Sequence, residues 1–217
     1  VELAARSSSS IGNQLRFLKM DSDGGVWAYF YSTAHNSSNI VNETGYYLAY
    51  FNSNAECLFK HHQHNNFIDN YAIDICYDNG FVWYVDSDSG ELRKLAKTGE
   101  LLERNFNNIE DTGGLTSDLN GGCWYCNGND LYHLSEHANI TDSVMDVASD
   151  KFVRLAIDPA DDRFLWGVDS SYLKRICISG ENKGKVYISV FVSSILRIFP
   201  VKEGCWACCG NSDGSGG

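Results

Sequence analysis

The hydrophobic residues of this chain fall in short runs, and turns rich in aspartate, asparagine and glycine separate them. The runs repeat as units, each with a first strand, a turn, a second strand that contains a tryptophan, and a third strand. The predicted first strands are residues 17–21, 72–76, 114–118, 154–158 and 196–199, and the predicted third strands are 92–95, 131–134 and 173–176. A fourth strand is predicted in three units, at 100–103, 140–147 and 186–190. The pattern indicates β-strands throughout.

The tryptophans give the period of the repeat. They are Trp27, Trp83, Trp124, Trp166 and Trp206, separated by 56, 41, 42 and 40 residues. A period near 40 with strand-like composition is typical of the four-stranded blades of a β-propeller. We therefore predict an all-β fold, one β-propeller domain over residues 1–217 with four-stranded antiparallel blades. About five blades are expected in this segment, at 15–60, 70–105, 113–148, 152–192 and 195–217, within a ring of six or seven.

Two predicted third strands carry large apolar residues three positions apart. These are Leu92 with Leu95, and Leu173 with Ile176. Side chains three apart on a strand point to opposite faces of the sheet, so both faces of these strands need burial. A blade between two neighbouring blades provides that burial and a one-sided sheet does not. The pattern therefore favours a propeller over a simple sandwich.

The first unit is longer than the others, and both ends of the chain fall inside a unit. The first tryptophan interval exceeds the second by 15 residues, 56 against 41, and the excess falls in residues 32–44. Residues 1–4 have the composition of a fourth strand, and the fifth unit stops after its tryptophan strand. We expect this segment to belong to a longer propeller, because an open stack would expose strand edges and apolar faces.

The motif around the tryptophan carries a family resemblance. It stands as DNGFVWYVD at 78–86 and as GGCWYCN at 121–127. In this it resembles the NHL, streptogramin-lyase and two-component-regulator families of propeller repeat, over almost the whole chain. The resemblance implies the architecture and says little about activity, because one fold hosts many functions. Lyase-type propellers of this kind hold a divalent cation at the axial face, beside a histidine or carboxylate that moves a proton. The repeat positions here do not match that set residue by residue.

The charge of the chain excludes some partners. Its 17 basic and 28 acidic residues give a formal net charge of −11. A surface this acidic repels phosphate backbones and anionic lipids, so neither nucleic acid nor a membrane surface is an expected partner. The longest apolar stretch, residues 186–199, is too short and too interrupted to insert into a membrane. An acidic shell that keeps the domain soluble explains the charge best.

Eight cysteines raise the question of a metal or redox site. Two pairs have the C-x-x-C spacing, Cys123 with Cys126 and Cys205 with Cys208. At the same repeat positions other units have valine, leucine or tyrosine, so cysteine here behaves as a small buried hydrophobe. Residues three apart on a strand also face opposite ways and are poorly placed to bind one zinc ion. We predict structural thiols, and folding in a reducing compartment.

Polar residues predicted to lie on one end of the blades are the candidate binding site. In a propeller, the loops that follow the second and the fourth strands share a face. We expect the following residues there: His35, His61, His62, His64, Asp86, Asp88, Asn127, Asp130 and Asp169. The histidines of the first unit could contact a metal or ligand near neutral pH, or simply belong to exposed polar loops. We expect no cofactor; calcium or another divalent cation is the alternative, since residues 86–91 are rich in oxygen ligands.

Two functions remain open from the sequence. The first is a non-catalytic scaffold that presents its loops to a protein or a glycan, in a larger assembly such as a virion or a surface fibre. Tyrosine, asparagine, serine and histidine in the loops suit adaptable polar contacts of this kind. The second is a lyase or lactonase-type enzyme with a divalent cation at the axial face. No serine-elbow, P-loop or H-E-x-x-H motif occurs in the chain, and we predict no catalytic residue.

Overall fold

Within the residues that the structure describes, eighteen β-strands build five antiparallel sheets. The structure is a computed structural model that describes residues 14–21, 23–32, 45–63, 76–78, 80–86, 89–105, 113–148, 150–169, 171–192 and 195–209. All regular structure in these ranges is β-strand. None of the described residues forms a helix long and apolar enough to cross a membrane.

Four sheets have four strands each, which pair in chain order. Blade 1 comprises β1 (Gln14–Met20), β2 (Val26–Ser32), β3 (Gly45–Phe51) and β4 (Cys57–Gln63). Blade 2 comprises β5 (Cys76–Asp78), β6 (Phe81–Asp86), β7 (Glu91–Ala96) and β8 (Leu101–Asn105). Blade 3 comprises β9 (Leu115–Ser117), β10 (Cys123–Asn127), β11 (Asp130–Leu134) and β12 (Ile140–Val144).

Blade 4 comprises β13 (Arg154–Ile157), β14 (Phe164–Val168), β15 (Tyr172–Cys177) and β16 (Val186–Phe191). The fifth sheet has two strands in the described residues, β17 (Ile195–Val201) and β18 (Gly204–Cys209). The predicted four-stranded antiparallel blades are therefore confirmed for four sheets. The predicted ring of six or seven blades stays a prediction.

The first strands of successive sheets lie beside one another. Strand β5 contacts β9, β9 contacts β13, and β13 contacts β17. Since each sheet pairs in chain order, the first strand is innermost and the fourth is outermost. Sheets arranged side by side in this way, with their first strands at the centre, form a β-propeller.

The core consists of apolar layers between successive sheets. Trp27 packs against Val82, Tyr84 and Leu95 of blade 2. The layer between blades 2 and 3 contains Trp83, Leu115, Cys123 and Tyr125, and the next one contains Trp124, Leu155, Leu165 and Ile176. The last layer places Trp166 beside Ile198, Cys205 and Ala207 of the fifth sheet. The four tryptophans of blades 1 to 4 are each at most 5% exposed.

Apolar residues three apart in the third strands serve two different layers, as the sequence predicts. Leu92 belongs to the layer between blades 2 and 3, whereas Leu95 belongs to the one between blades 1 and 2. Leu173 and Ile176 divide in the same way between the two sides of blade 4. Blades 2 and 4 are thus buried on both faces by their neighbours.

The cysteine pair of β10 also divides between two layers. Cys123 lies between blades 2 and 3, and Cys126 lies between blades 3 and 4. The Cys126 thiol donates to the backbone carbonyl of Phe152 at 2.9 Å and accepts from the amides of Gly113 and Gly114 at 3.2 and 3.1 Å. These contacts join blade 3 to the start of blade 4, which fits a structural role for the thiol.

Candidate interaction surface at the loop ends of the blades

Two kinds of connection meet at one end of the sheets. Because neighbouring strands are antiparallel, the turns between second and third strands lie at the same end as the connections that lead to the next blade. We call this end the loop face; its described parts are residues 86, 89–91, 127–130, 168–169 and 171–172 of the turns, and residues 144–148 and 150–154 of one connection. The turns between first and second strands lie at the opposite end, which we call the turn face.

Asp86, at the end of β6, is buried and bound within its own blade. Its carboxylate forms an ion pair with Arg93 on the adjacent strand β7, and it accepts the backbone amide of Ser89 at 3.2 Å. Glu91 holds the same guanidinium at 2.8 Å. His61 Nε2 lies 3.7 Å from the carboxylate. The charge of Asp86 is therefore balanced inside the protein by Arg93, and its hydrogen bond to the Ser89 amide closes the hairpin turn.

The phenol of Tyr84 lies next to this ion pair. Its hydroxyl is 3.5 Å from the Asp86 carboxylate. Burial, together with the negative charge of Asp86, raises the pKa of Tyr84 to about 12. The hydroxyl therefore stays protonated at physiological pH and acts as a donor rather than as a base.

His61 and His62 lie in strand β4, so their predicted place in a loop is wrong. The two outer strands of blade 1 have no L-x-x-L spacing at the expected distance from the tryptophan, and the sequence pattern missed them. The His62 ring stacks on Tyr47 at 4.8 Å between centroids, and the His61 ring meets Tyr84 edge-on at 6.3 Å. His61 thus contacts blade 2 from the outer strand of blade 1.

Asp169, at the loop face of blade 4, is as deeply buried as Asp86. Its Oδ1 accepts the backbone amides of Ser171 and Tyr172 at 3.1 and 2.8 Å, and its Oδ2 lies 2.8 Å from Lys174 Nζ. The same ammonium is 3.4 Å from the carbonyl oxygen of Val147, in the connection from blade 3. The carboxylate is again committed to the turn and to a lysine on the third strand.

Asn127 and Asp130 flank the corresponding turn of blade 3 and are half-buried. Their backbones pair with each other across the two-residue turn. Asp130 Oδ1 accepts the backbone amide of Asp146 at 2.8 Å, which ties the turn to the connection that leaves β12. The remaining predicted site residues, His35, His64 and Asp88, lie outside the described residues.

Carboxylates on the turn face form a second set, which the sequence pattern did not identify as such. Asp21 accepts the Tyr50 hydroxyl at 2.5 Å, Asp118 lies 2.8 Å from His133 Nε2, and Asp158 accepts Arg175 Nε at 2.7 Å. Each also accepts backbone amides of its own turn. The partner in every case is the third-strand residue directly opposite the tryptophan. This rule needs the strand register, which the sequence alone does not provide.

Lys97, which follows β7 of blade 2, connects this set of carboxylates to a neighbouring blade. Its ammonium lies 2.8 Å from Asp21 and 2.6 Å from Asp23 of blade 1. Burial alone would raise the pKa of Asp21, but hydrogen bonds from Lys97, Tyr50 and two backbone amides outweigh it and lower the pKa to about 2. Burial of Asp118 is likewise outweighed, by His133 and turn amides, so that its pKa is also lowered.

The described residues do not bring metal ligands together. Among them, no group of three or more histidine, cysteine, aspartate or glutamate side chains is placed to hold a metal ion. The oxygen-rich stretch 86–91 therefore provides, in its described part, a turn closed by Asp86 and Arg93. Calcium stays a prediction for that loop.

Comparison with known proteins supports the architecture. No protein-family model matches this chain, and no curated protein sequence does. Its structure is similar to streptogramin B lyase, with a TM-score of 0.59 and 16% identity over 92% of this chain and 63% of that one. It is also similar to the WD40 domain of Neurospora crassa Pan2, with a TM-score of 0.57 and 10% identity over 82% of this chain and 50% of the other. The chain is a β-propeller repeat protein.

A virginiamycin B lyase from Staphylococcus aureus is a third similar structure, with a TM-score of 0.57 and 12% identity over 88% of this chain and 76% of that one. This propeller therefore spans between half and about three quarters of the chains that it resembles. At these identities the likeness shows the fold, and both scaffold-type WD40 domains and lyases share it.

Proposed function

We propose that this propeller is a non-catalytic scaffold that presents its loop face to a protein or a glycan. The observation that carries the proposal is that internal contacts hold three carboxylates of the loop face. Asp86 is paired with Arg93, Asp169 with Lys174, and Asp130 with a backbone amide. Carboxylates held in this way stabilise the turns of the loop face. The exposed residues around them are then the groups available to contact a partner.

Exposed residues at the loop face form the proposed contact surface. Ser89, Asn129, Met145 and Asp146 are exposed there, and Met145 is 55% exposed. Such a mixture of small polar groups and one flexible apolar side chain suits adaptable recognition. Membership of a larger assembly, such as a virion or a surface fibre, belongs to the same proposal.

The alternative is an enzyme with a divalent cation at the axial face. The likeness to streptogramin B lyase stands at 16% identity and supports the fold alone. In the described residues the carboxylates that would ligate a cation are bound to Arg93 and Lys174 instead. The enzyme hypothesis therefore requires cation ligands from other parts of the chain.

Binding measurements separate the two functions. The whole chain is screened against a panel of immobilised oligosaccharides, and calcium and magnesium are titrated by calorimetry. The proposal expects saturable glycan or protein binding that Met145→Ala weakens and that a chelator leaves unchanged. Tight cation binding, coupled to chelator-sensitive cleavage of a cyclic ester substrate, would favour the enzyme and contradict the proposal.

A further inference from the structure

Three polar side chains at the turn face of blade 3 form a continuous series of hydrogen bonds. His133 lies in the middle: its Nε2 is 2.8 Å from Asp118 Oδ2, and its Nδ1 is 2.6 Å from Thr141 Oγ1. The Thr141 hydroxyl is also 3.5 Å from the carbonyl oxygen of His133, which is long for a hydrogen bond between oxygens. The contact of the hydroxyl with Nδ1 is therefore the stronger of the two.

Asp118 determines which nitrogen of His133 carries the proton. Its Oδ1 accepts the backbone amides of Asn120 and Gly122 at 2.7 and 2.9 Å, so the turn holds the carboxylate in place. Burial opposes the charge of Asp118, but His133 and the turn amides outweigh it and lower the pKa of the carboxyl group. Because an ionised carboxylate only accepts hydrogen bonds, Nε2 of the neutral imidazole donates to it and Nδ1 is left as an acceptor. The Thr141 hydroxyl therefore donates to Nδ1.

A β-bulge lies at the point where Thr141 meets the imidazole. His133 is opposite Asp142 and Leu134 is opposite Ile140, so Thr141 is the extra residue of strand β12. Bulges break the regular alternation of side chains along a strand and redirect one of them. Here the redirected side chain is the one that contacts the histidine.

The other blades have the same bulge with different side chains. The extra residue of the fourth strand is Leu58 in blade 1, Leu102 in blade 2 and Tyr187 in blade 4. The third-strand residue opposite the tryptophan is Tyr50, Lys94 or Arg175 in the same three blades. Among the four-stranded blades that the structure describes, blade 3 alone combines a hydroxyl with an imidazole at these two positions. The blade architecture therefore does not require this combination.

The series is exposed at its threonine and held in place at its other end. The side chain of Asp118 is 12% exposed and that of His133 is 21% exposed, whereas Thr141 is an exposed residue. The buried Trp124 packs against the His133 ring, with 4.9 Å between the centroids. A reagent in solution can therefore reach the hydroxyl while the imidazole keeps its orientation.

We propose that Thr141 is an acceptor site for an acyl group from an activated ester or thioester. A hydroxyl that donates to a histidine, itself oriented by a third group, is the arrangement that makes an alcohol nucleophilic. Thr141 Oγ1 bonds to the acyl carbon, and the bond from that carbon to the leaving oxygen or sulfur breaks. The hydroxyl proton passes to His133 Nδ1 and then to the leaving group. The product is an ester on Thr141, and Asp118 is the positioning residue.

The inference is independent of the loop-face function. Thr141 lies near the start of β12, at the turn face, and Met145 follows the other end of that strand, at the loop face. Uptake of one acyl group is a modification without turnover, so it is compatible with a non-catalytic scaffold. Met145→Ala should leave acylation unchanged, and Thr141→Val should leave partner binding at the loop face unchanged.

The small activated ester p-nitrophenyl acetate tests the site on the whole chain. Mass spectrometry after an acid quench and pepsin digestion locates the acetyl group and follows its appearance with time. We expect an acetyl group on Thr141 that is absent in Thr141→Val. His133→Ala should slow acetylation of Thr141 by about tenfold or more, and added imidazole should restore part of the rate, because the general base is then supplied from solution. Thr98→Val, at an exposed threonine of blade 2, is the matched control and should change nothing.

Asp118→Asn tests the orientation of the histidine. The asparagine amide donates to Nε2 and leaves the ring proton on Nδ1, so the Thr141 hydroxyl loses its acceptor. Acetylation of Thr141 should fall by about tenfold or more. Nitrogen NMR of protein with labelled histidine should show the ring proton on Nε2 in the wild type and on Nδ1 in Asp118→Asn.

The site of the label and its dependence on His133 decide the outcome. Acetylation confined to lysine amines, or acetylation of Thr141 at an unchanged rate in His133→Ala, would overturn the proposal. Release of nitrophenolate well beyond one equivalent that requires both Thr141 and His133 would support the acceptor site and contradict the non-catalytic scaffold instead. Failure of the loop face to bind a partner would leave this result untouched.

Discussion

Two tryptophans with the same sequence motif differ in exposure to solvent. Trp124 lies in the layer between blades 3 and 4, and Trp206 lies on the outer side of the fifth sheet. Trp124 is 5% exposed and Trp206 is 71% exposed, although both sit in a Gly-Cys-Trp frame on a second strand. The same contrast separates Val144, at 3%, from Val190, at 48%. A blade therefore does not bury its own signature residues, because the next blade buries them, as expected for a protein of stacked repeats.

The largest expected effect follows from removing a tryptophan inside a layer. Trp124→Ala should lower the free energy of unfolding by about 3 to 5 kcal/mol, because it leaves a cavity between blades 3 and 4. Trp206→Ala is the matched substitution and should change stability by less than about 0.5 kcal/mol, since its side chain is exposed. Chemical denaturation of both variants measures the difference, and equal losses would contradict it.

The next largest effect concerns the buried ion pair between Lys174 and Asp169 in blade 4. Lys174→Met should destabilise the fold by about 2 to 3 kcal/mol, because the buried Asp169 carboxylate loses its ion-pair partner. Lys202→Met, at an exposed lysine of the fifth sheet, is the control and should be near neutral. Thermal unfolding of the two variants tests whether loop-face carboxylates serve the fold.

An acid titration addresses the contact between blades 1 and 2. The folded pKa of Asp21 is about 2, below its ordinary 3.8, so ionised Asp21 stabilises the folded state. That contribution, about 1 to 2 kcal/mol, is complete above about pH 4 and is lost as the pH falls towards 2. Stability curves of the wild type and of Asp21→Asn should therefore converge in this window. Curves that stay parallel down to pH 2 would show that Asp21 is not the group responsible.

The smallest effect is expected at the loop face. Met145→Ala removes a side chain that is 55% exposed and should alter the free energy of unfolding by less than about 0.5 kcal/mol. Partner binding should nevertheless weaken if the loop face is the contact surface. A large loss of stability would show that Met145 packs against the fold.

The sequence predicted the features that depend on strand alternation. The tryptophan period and the apolar pairs Leu92 with Leu95 and Leu173 with Ile176 indicated blades buried on both faces, and the layers confirm this. Such patterns are local, because alternation along one strand determines which face a residue occupies.

Features that depend on pairing between strands were missed. The outer strands of blade 1 lack the leucine spacing and were not located from the sequence, so that His61 and His62 of β4 were predicted to lie in a loop. Asp86 and Asp169 were predicted as ligand candidates, yet Arg93 and Lys174 balance their charges from the adjacent strand. The sequence does carry a basic residue five to seven positions after each aspartate. That spacing indicates an ion pair only when the two residues are known to lie on adjacent strands of one hairpin.

Acrylamide quenching of tryptophan fluorescence tests the blade arrangement most directly. Four of the five tryptophans are at most 5% exposed and Trp206 is 71% exposed. The arrangement predicts that one indole is accessible to the quencher in the wild type, and that Trp206→Phe removes this accessible fraction and shifts the emission to shorter wavelength. Quenching of several tryptophans that persists in Trp206→Phe would contradict it, because the layers between blades would then be open to solvent.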